Sequence, residues 1–184
     1  SVNRYFYTRH TFGGDVVRRY HIDTQTWASL TNTEYIYGDA GALKVMPGIG
    51  LLWVQGAGTG NNPDSEVYLW NGTAWSALIS PVSMQEDNCW SCYSPVVDRL
   101  FFGGGSGAQG LELRMYKTTG AGSVTQCADT PVAFGVTDSI FAIIIADPEL
   151  PYLYAWPSDG SMRKYDIVGD SWSEVDAAGT NHFG

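Results

Sequence analysis

Apolar and polar positions along this chain fall into a pattern that repeats. A tyrosine, six intervening residues, a tryptophan and a short apolar tail recur as Tyr20-HIDTQT-Trp27, Tyr68-LWNGTA-Trp75 and Tyr165-DIVGDS-Trp172. A degenerate copy, Tyr116-KTTGAGS-Val124, carries one extra residue and no tryptophan. The closing positions 27, 75, 124 and 172 lie 48, 49 and 48 residues apart. A fixed period in this range is the signature of a repeat architecture, in which one supersecondary unit is stacked on the next.

Each unit divides into short apolar segments separated by turn residues. In the second unit these are 42–45, 51–55, 66–70 and 74–78. Pro47 and Gly48 supply the turn after the first, and Asn71-Gly72 the hairpin before the last. The third unit gives 90–93, 100–103, 111–116 and 123–127, and the fourth gives 140–145, 152–156, 162–165 and 171–175. Little else reads as helix; the best helical candidate, 80–87, is short and opens on Ser80-Pro81.

The second strands align as Tyr5-Phe6-Tyr7, Leu51-Leu52-Trp53, Leu100-Phe101-Phe102 and Tyr152-Leu153-Tyr154. They are apolar without alternation, as in strands covered on both faces. A sheet stacked between two similar sheets has such a middle. The expectation is an all-β fold: a β-propeller of four four-stranded blades, standing alone or as part of a larger or oligomer-completed propeller. The column Tyr7, Trp53, Phe102 and Tyr154 reads as core between blades rather than a sugar-stacking platform. Trp27, Trp75 and Trp172 read as packing between blades. Trp70, Trp90 and Trp156 do not recur in register and are the candidates for surface recognition.

The apolar quartets, the glycine pairs in Phe12-Gly13-Gly14 and Phe102-Gly103-Gly104, and the outer Tyr and Trp together resemble the kelch-repeat family. The second unit departs from that pattern with Gln55-Gly56-Ala57, and the fourth with Trp156-Pro157. The resemblance implies one propeller domain over 1–184, with approximate blades 1–31, 32–80, 81–129 and 130–176 and a tail 177–184. The first unit begins with its second strand. The expectation is that its innermost strand comes from the tail or from a neighbouring chain.

Charge narrows the partners. Ten Lys and Arg stand against 19 Asp and Glu, a net charge of -9. The densest basic patch is Arg18-Arg19, too little to displace the counterions of a nucleic acid. The longest apolar run, 140–146, is too short to span a bilayer as a helix.

Candidate chemistry is sparse. Three cysteines, Cys89, Cys92 and Cys127, leave at least one free or intermolecular thiol. Cys89-Trp90-Ser91-Cys92 has redox spacing but lies on a strand, without the helix start that stabilises a thiolate. A structural disulfide from one of this pair to Cys127 is the alternative, with Cys92 and Cys127 as candidate partners. Asn71-Gly72-Thr73 is a sequon, making Asn71 a candidate glycosylation site. His10, His21 and His182 lack ligand spacing, and Asp64, Glu66, Asp147, Glu149 and Asp159 read as solvated loop carboxylates. The segment from Asp166 to Trp172 looks superficially like the Asp box of sialidases, but reads better as a tight hairpin. The copper set of the galactose-oxidase-like enzymes has no specific match here. No catalytic residue, metal or cofactor is expected.

The expected role is therefore a non-enzymatic structural or recognition module. It would self-associate or join other protein subunits as a repeated block of an extracellular fibre or a virion tail or appendage. A carbohydrate-binding or carbohydrate-active propeller is the alternative, and an intracellular kelch adaptor the third. The long loops 56–65 and 103–110 are the expected binding surfaces.

Overall fold

The computed structural model describes residues 5–10, 16–30, 42–55, 65–82, 89–104, 115–119, 123–131, 143–157 and 160–176. These form fifteen strands in four antiparallel sheets, with no helix among them. Sheet 1 holds β1 (Tyr5–His10), β2 (Val16–His21) and β3 (Thr26–Ser29). Sheet 2 holds β4 (Ala42–Met46), β5 (Gly50–Gln55), β6 (Ser65–Trp70) and β7 (Trp75–Val82). Sheet 3 holds β8 (Cys89–Ser94), β9 (Arg99–Gly104), β10 (Met115–Thr118) and β11 (Val124–Gln126). Sheet 4 holds β12 (Ile143–Ala146), β13 (Tyr152–Trp156), β14 (Met162–Asp166) and β15 (Ser171–Asp176).

Each sheet is an up-and-down meander in chain order, so one repeat makes one sheet. Sheet 1 is the three-stranded exception. Its β1 pairs with β2 as β5, β9 and β13 pair with their third strands. Among the described residues, the first strand of sheet 1 is thus equivalent to the second strand of the others. The first strands of later sheets lie side by side, β4 against β8 and β8 against β12, while β1 approaches β4. The helical candidate over 80–87 is corrected in its first part: β7 continues through Val82, and 83–88 lie outside the described residues.

The core is a series of seams between consecutive sheets. Val17, Leu30, Leu51, Tyr68, Trp70 and Trp75 join sheet 1 to sheet 2. Met46, Leu52, Val54, Val67, Leu100, Phe102 and Tyr116 join sheet 2 to sheet 3. Sheets 3 and 4 meet through Trp90, Cys92, Phe101, Met115, Cys127, Leu153, Ala155, Tyr165 and Ile167. Strand side chains alternate between faces, so sheets 2 and 3 bury both. The non-alternating second strands follow: Leu51 and Leu52, and Phe101 and Phe102, point to opposite seams and are all buried.

Register corrects the aromatic column. Trp53 and Phe102 do lie opposite the repeat tyrosines, Tyr68 and Tyr116. In sheet 1, however, Phe6 faces Tyr20, and Tyr7 faces Arg19. In sheet 4, Leu153 faces Tyr165, and Tyr154 faces Lys164. The equivalent positions are therefore Phe6, Trp53, Phe102 and Leu153. A slip of one residue moves every side chain to the other face, and an all-apolar strand carries no alternation to prevent the misreading.

Equal spacing also hides two different hairpins. Tyr20 pairs directly with Trp27, and Tyr165 with Trp172, across four-residue turns. In sheet 2 the turn comes one residue later, and Trp75 pairs with Trp70 instead of Tyr68. Asn71 makes this turn: its side-chain oxygen accepts from the backbone N–H groups of Thr73 and Ala74, both at 2.9 Å. Gly72 supplies the left-handed residue, with φ of 101°. In sheets 1 and 4 the left-handed position falls to Gln25 (φ 55°) and Asp170 (φ 48°).

Candidate functional site

The repeat tyrosine defines a front for every sheet. Tyr68 in sheet 2 faces sheet 1, Tyr116 in sheet 3 faces sheet 2, and Tyr165 in sheet 4 faces sheet 3. All three are buried. The aromatic or apolar residue beyond the hairpin joins the same seam. Trp75 is buried there, and Val124 and Trp172 pack at the edges of theirs. The opposite face, the back, meets the following sheet.

Two faces have no counterpart among these seams. The front of sheet 1 carries Phe6, Tyr20 and Trp27, because Phe6 pairs with Tyr20 and Tyr20 with Trp27. Phe6 is 58% exposed and Trp27 55%. The back of sheet 4 carries Ile143 and Ile145 on β12, paired with Trp156 and Tyr154 on β13. Ile143 is 63% exposed and Ile145 48%, while Ile144 and Ala146 pack into the sheet 3–4 seam. The Lys164 ammonium sits 4.7 Å from the Tyr152 ring centre on the same back face. Exposed apolar residues grouped on one sheet face are the kind of surface that interactions use.

The tryptophans named as recognition candidates are placed differently from one another. Trp70 is buried in the sheet 1–2 seam, its ring centre 5.5 Å from that of Trp75. It occupies the role that a tyrosine has in sheets 1 and 4. Trp90 is buried in the sheet 3–4 seam. The surface reading of Trp70 and Trp90 is thus corrected. Trp156 is half-buried and lies on the back of sheet 4, beside Ile143. Trp27, expected in packing, is instead the most exposed of the repeat tryptophans. The loop residues 56–64 and 105–110 lie outside the described residues, as do His182, Asp64, Asp159 and the tail 177–184.

The Cys92–Cys127 disulfide is also corrected: both thiols are free and buried. Burial pushes both thiols above their ordinary range and outweighs the nearby lysines, Lys44 at Cys92 and Lys117 at Cys127. Protonated, enclosed thiols are poor nucleophiles. Cys127 instead shares a polar knot between sheets 3 and 4. The Tyr165 hydroxyl donates to the Asp170 carboxylate and also meets the Cys127 thiol. The same Asp170 oxygen accepts the Ala128 N–H at 2.8 Å. Burial first, and the bond to Asp170 second, hold the tyrosine protonated far above its usual range. The two donated bonds hold the Asp170 carboxyl below its ordinary value. A tyrosine fixed as donor and a carboxylate fixed as acceptor make a clasp, not an acid–base pair.

Other candidates resolve into turns. The Asp166 carboxylate accepts the N–H groups of Val168 and Gly169 at 2.9 and 3.0 Å, which accounts for the box-like spacing as a hairpin cap. Asp147 does the same for Glu149 and Leu150, both at 2.9 Å. His21 accepts the Thr24 N–H through Nδ1 at 3.1 Å and meets the Tyr5 ring edge-on. Among the described residues, no three His, Cys, Asp or Glu side chains converge as metal ligands, and no helix is long and apolar enough to cross a membrane.

No protein-family model matches the chain, and no curated protein matches it.

Proposed function

We propose that the chain is a non-catalytic, kelch-like β-propeller module whose work is assembly, as a repeated block of an extracellular fibre or a virion appendage. One observation carries this reading: the front of sheet 1 and the back of sheet 4 expose large apolar side chains, Phe6 and Trp27 on one and Ile143 and Ile145 on the other, while the intervening sheets bury apolar residues on both faces. The side-by-side first strands suit a radial arrangement of blades. Among the described residues, the Asp147 and Asp166 carboxylates are engaged in caps and Asp170 in the clasp.

Sedimentation velocity across a concentration series tests the reading. Association that strengthens with concentration is expected. A species that stays at monomer mass throughout, with no partner protein captured, would contradict it. A second reading rests on Trp27, exposed beside Tyr20 with ring centres 5.0 Å apart, a platform on which a sugar ring can stack. Binding on a glycan array that disappears in Trp27→Ala would favour it.

A further inference from the structure

We infer that the front of sheet 1 receives the back of sheet 4 from a second copy of this chain, so that copies join head to tail. The inference rests on the assembly reading and specifies its contact. Every seam inside the chain is made one way: the back of one sheet meets the tyrosine-bearing front of the next. The two faces left over are one front and one back. Each has the composition of its kind. The Tyr20–Trp27 pair repeats the geometry of the Tyr165–Trp172 pair that closes the sheet 3–4 seam: ring centres 5.0 and 5.1 Å apart, planes at 46° and 40°. On the back of sheet 4, Ile143 and Ile145 offer branched apolar side chains, as Leu52 and Val54 do on the back of sheet 2.

Edge geometry points the same way. Within the chain, first strands lie side by side, β4 by β8 and β8 by β12. Among the described residues sheet 1 has no such first strand, and its order there is β1-β2-β3. A back-to-front approach of a second copy brings its β12 to the β1 side of sheet 1 and continues the same order of sheets. A front-to-front contact would set the aromatic pairs against each other and leave both backs bare. The contact is therefore heterologous, closing into a ring or running on according to the rotation per copy.

Two full-length variants test this. Trp27→Arg charges the front, and the double substitution Ile143→Arg with Ile145→Arg charges the back. All three positions are exposed, so far-UV circular dichroism and thermal unfolding should match the parent. The parent is expected to associate, and each variant alone to lose association by roughly thirtyfold or more, the scale of a central interface residue. An equimolar mixture retains one intact front and one intact back. It is expected to form a one-to-one dimer and stop there. If the parent associates but the mixture stays monomeric, the pairing is wrong while the assembly reading stands. Self-association of the back variant alone would show a front-to-front contact and overturn the inference. A parent that never associates overturns both.

Discussion

The first and last sheets use the same aromatic pair in opposite surroundings. Tyr20 and Trp27 in sheet 1 stack almost as Tyr165 and Trp172 do in sheet 4, with ring centres 5.0 and 5.1 Å apart. Tyr165 is wholly buried against sheet 3, whereas Trp27 is 55% exposed. The local sequence, a four-residue turn between paired strands, dictates the stack. The neighbouring sheet dictates what the stack is worth. A cross-strand aromatic pair contributes up to about 1 kcal/mol by itself. The larger part, the removal of apolar area from water, needs a second surface.

Matched substitutions turn that contrast into measurements. Leu153 and Phe6 are equivalent, each opposite the repeat tyrosine, but Leu153 is buried and Phe6 is 58% exposed. Leu153→Ala should cost about 2–5 kcal/mol in urea unfolding of the dilute protein. Phe6→Ala should stay within about 0.5 kcal/mol. Equal losses would break the comparison, because they would place sheet 1 inside a seam.

The hydroxyls come next. Tyr165→Phe removes the donor to Asp170 and should cost about 1–3 kcal/mol. Tyr20→Phe should fall within about 0.5 kcal/mol. The left-handed turn residues separate in sign. Gln25→Gly relieves a strained φ and is expected to raise stability by up to about 1 kcal/mol. Asp170→Gly relieves the same strain but breaks the bonds to Tyr165 and Ala128, so its midpoint should drop.

The smallest effect is in the pH profile. Asp170 is held below its ordinary value of 3.8, chiefly by the Tyr165 hydroxyl and then by the Ala128 N–H. The native state therefore binds fewer protons at this site than the unfolded chain does. Its stabilisation is complete above that ordinary value and is lost as pH falls through the lower native one. Asp170→Asn should flatten this acid-side decline. The equivalent position in sheet 1, Gln25, does not titrate, so Gln25→Asn should leave the profile unchanged.

Much of this was legible in the sequence. The 48–49-residue period identified one sheet per repeat, and the turn residues placed most strand cores within a residue or two. The equivalence of β1 to the second strands was readable because Tyr5 to Tyr7 aligns with them. What the period could not carry was which face each residue takes. In Tyr152-Leu153-Tyr154 every position is apolar, so only pairing with β14 shows that Leu153 is the one facing sheet 3. Trp70 looked out of register because the hairpin in sheet 2 starts later, and that shift is exactly what buries it beside Trp75. The exposure of Trp27 had no local signal, since it depends on whether another sheet packs on that face, and none of the four described sheets does.

The account stands most directly on the accessibility of Trp27 as copies meet. With 5-fluorotryptophan in the full chain and the Trp27 resonance assigned by Trp27→Phe, solvent accessibility can be followed by fluorine NMR across a dilution series. Trp27 should be open to solvent when dilute and become protected as association proceeds, while buried Trp75 stays protected throughout. A Trp27 resonance as protected as that of Trp75 at every concentration, or equally open at every concentration, would contradict the claim that the front of sheet 1 is covered by another copy.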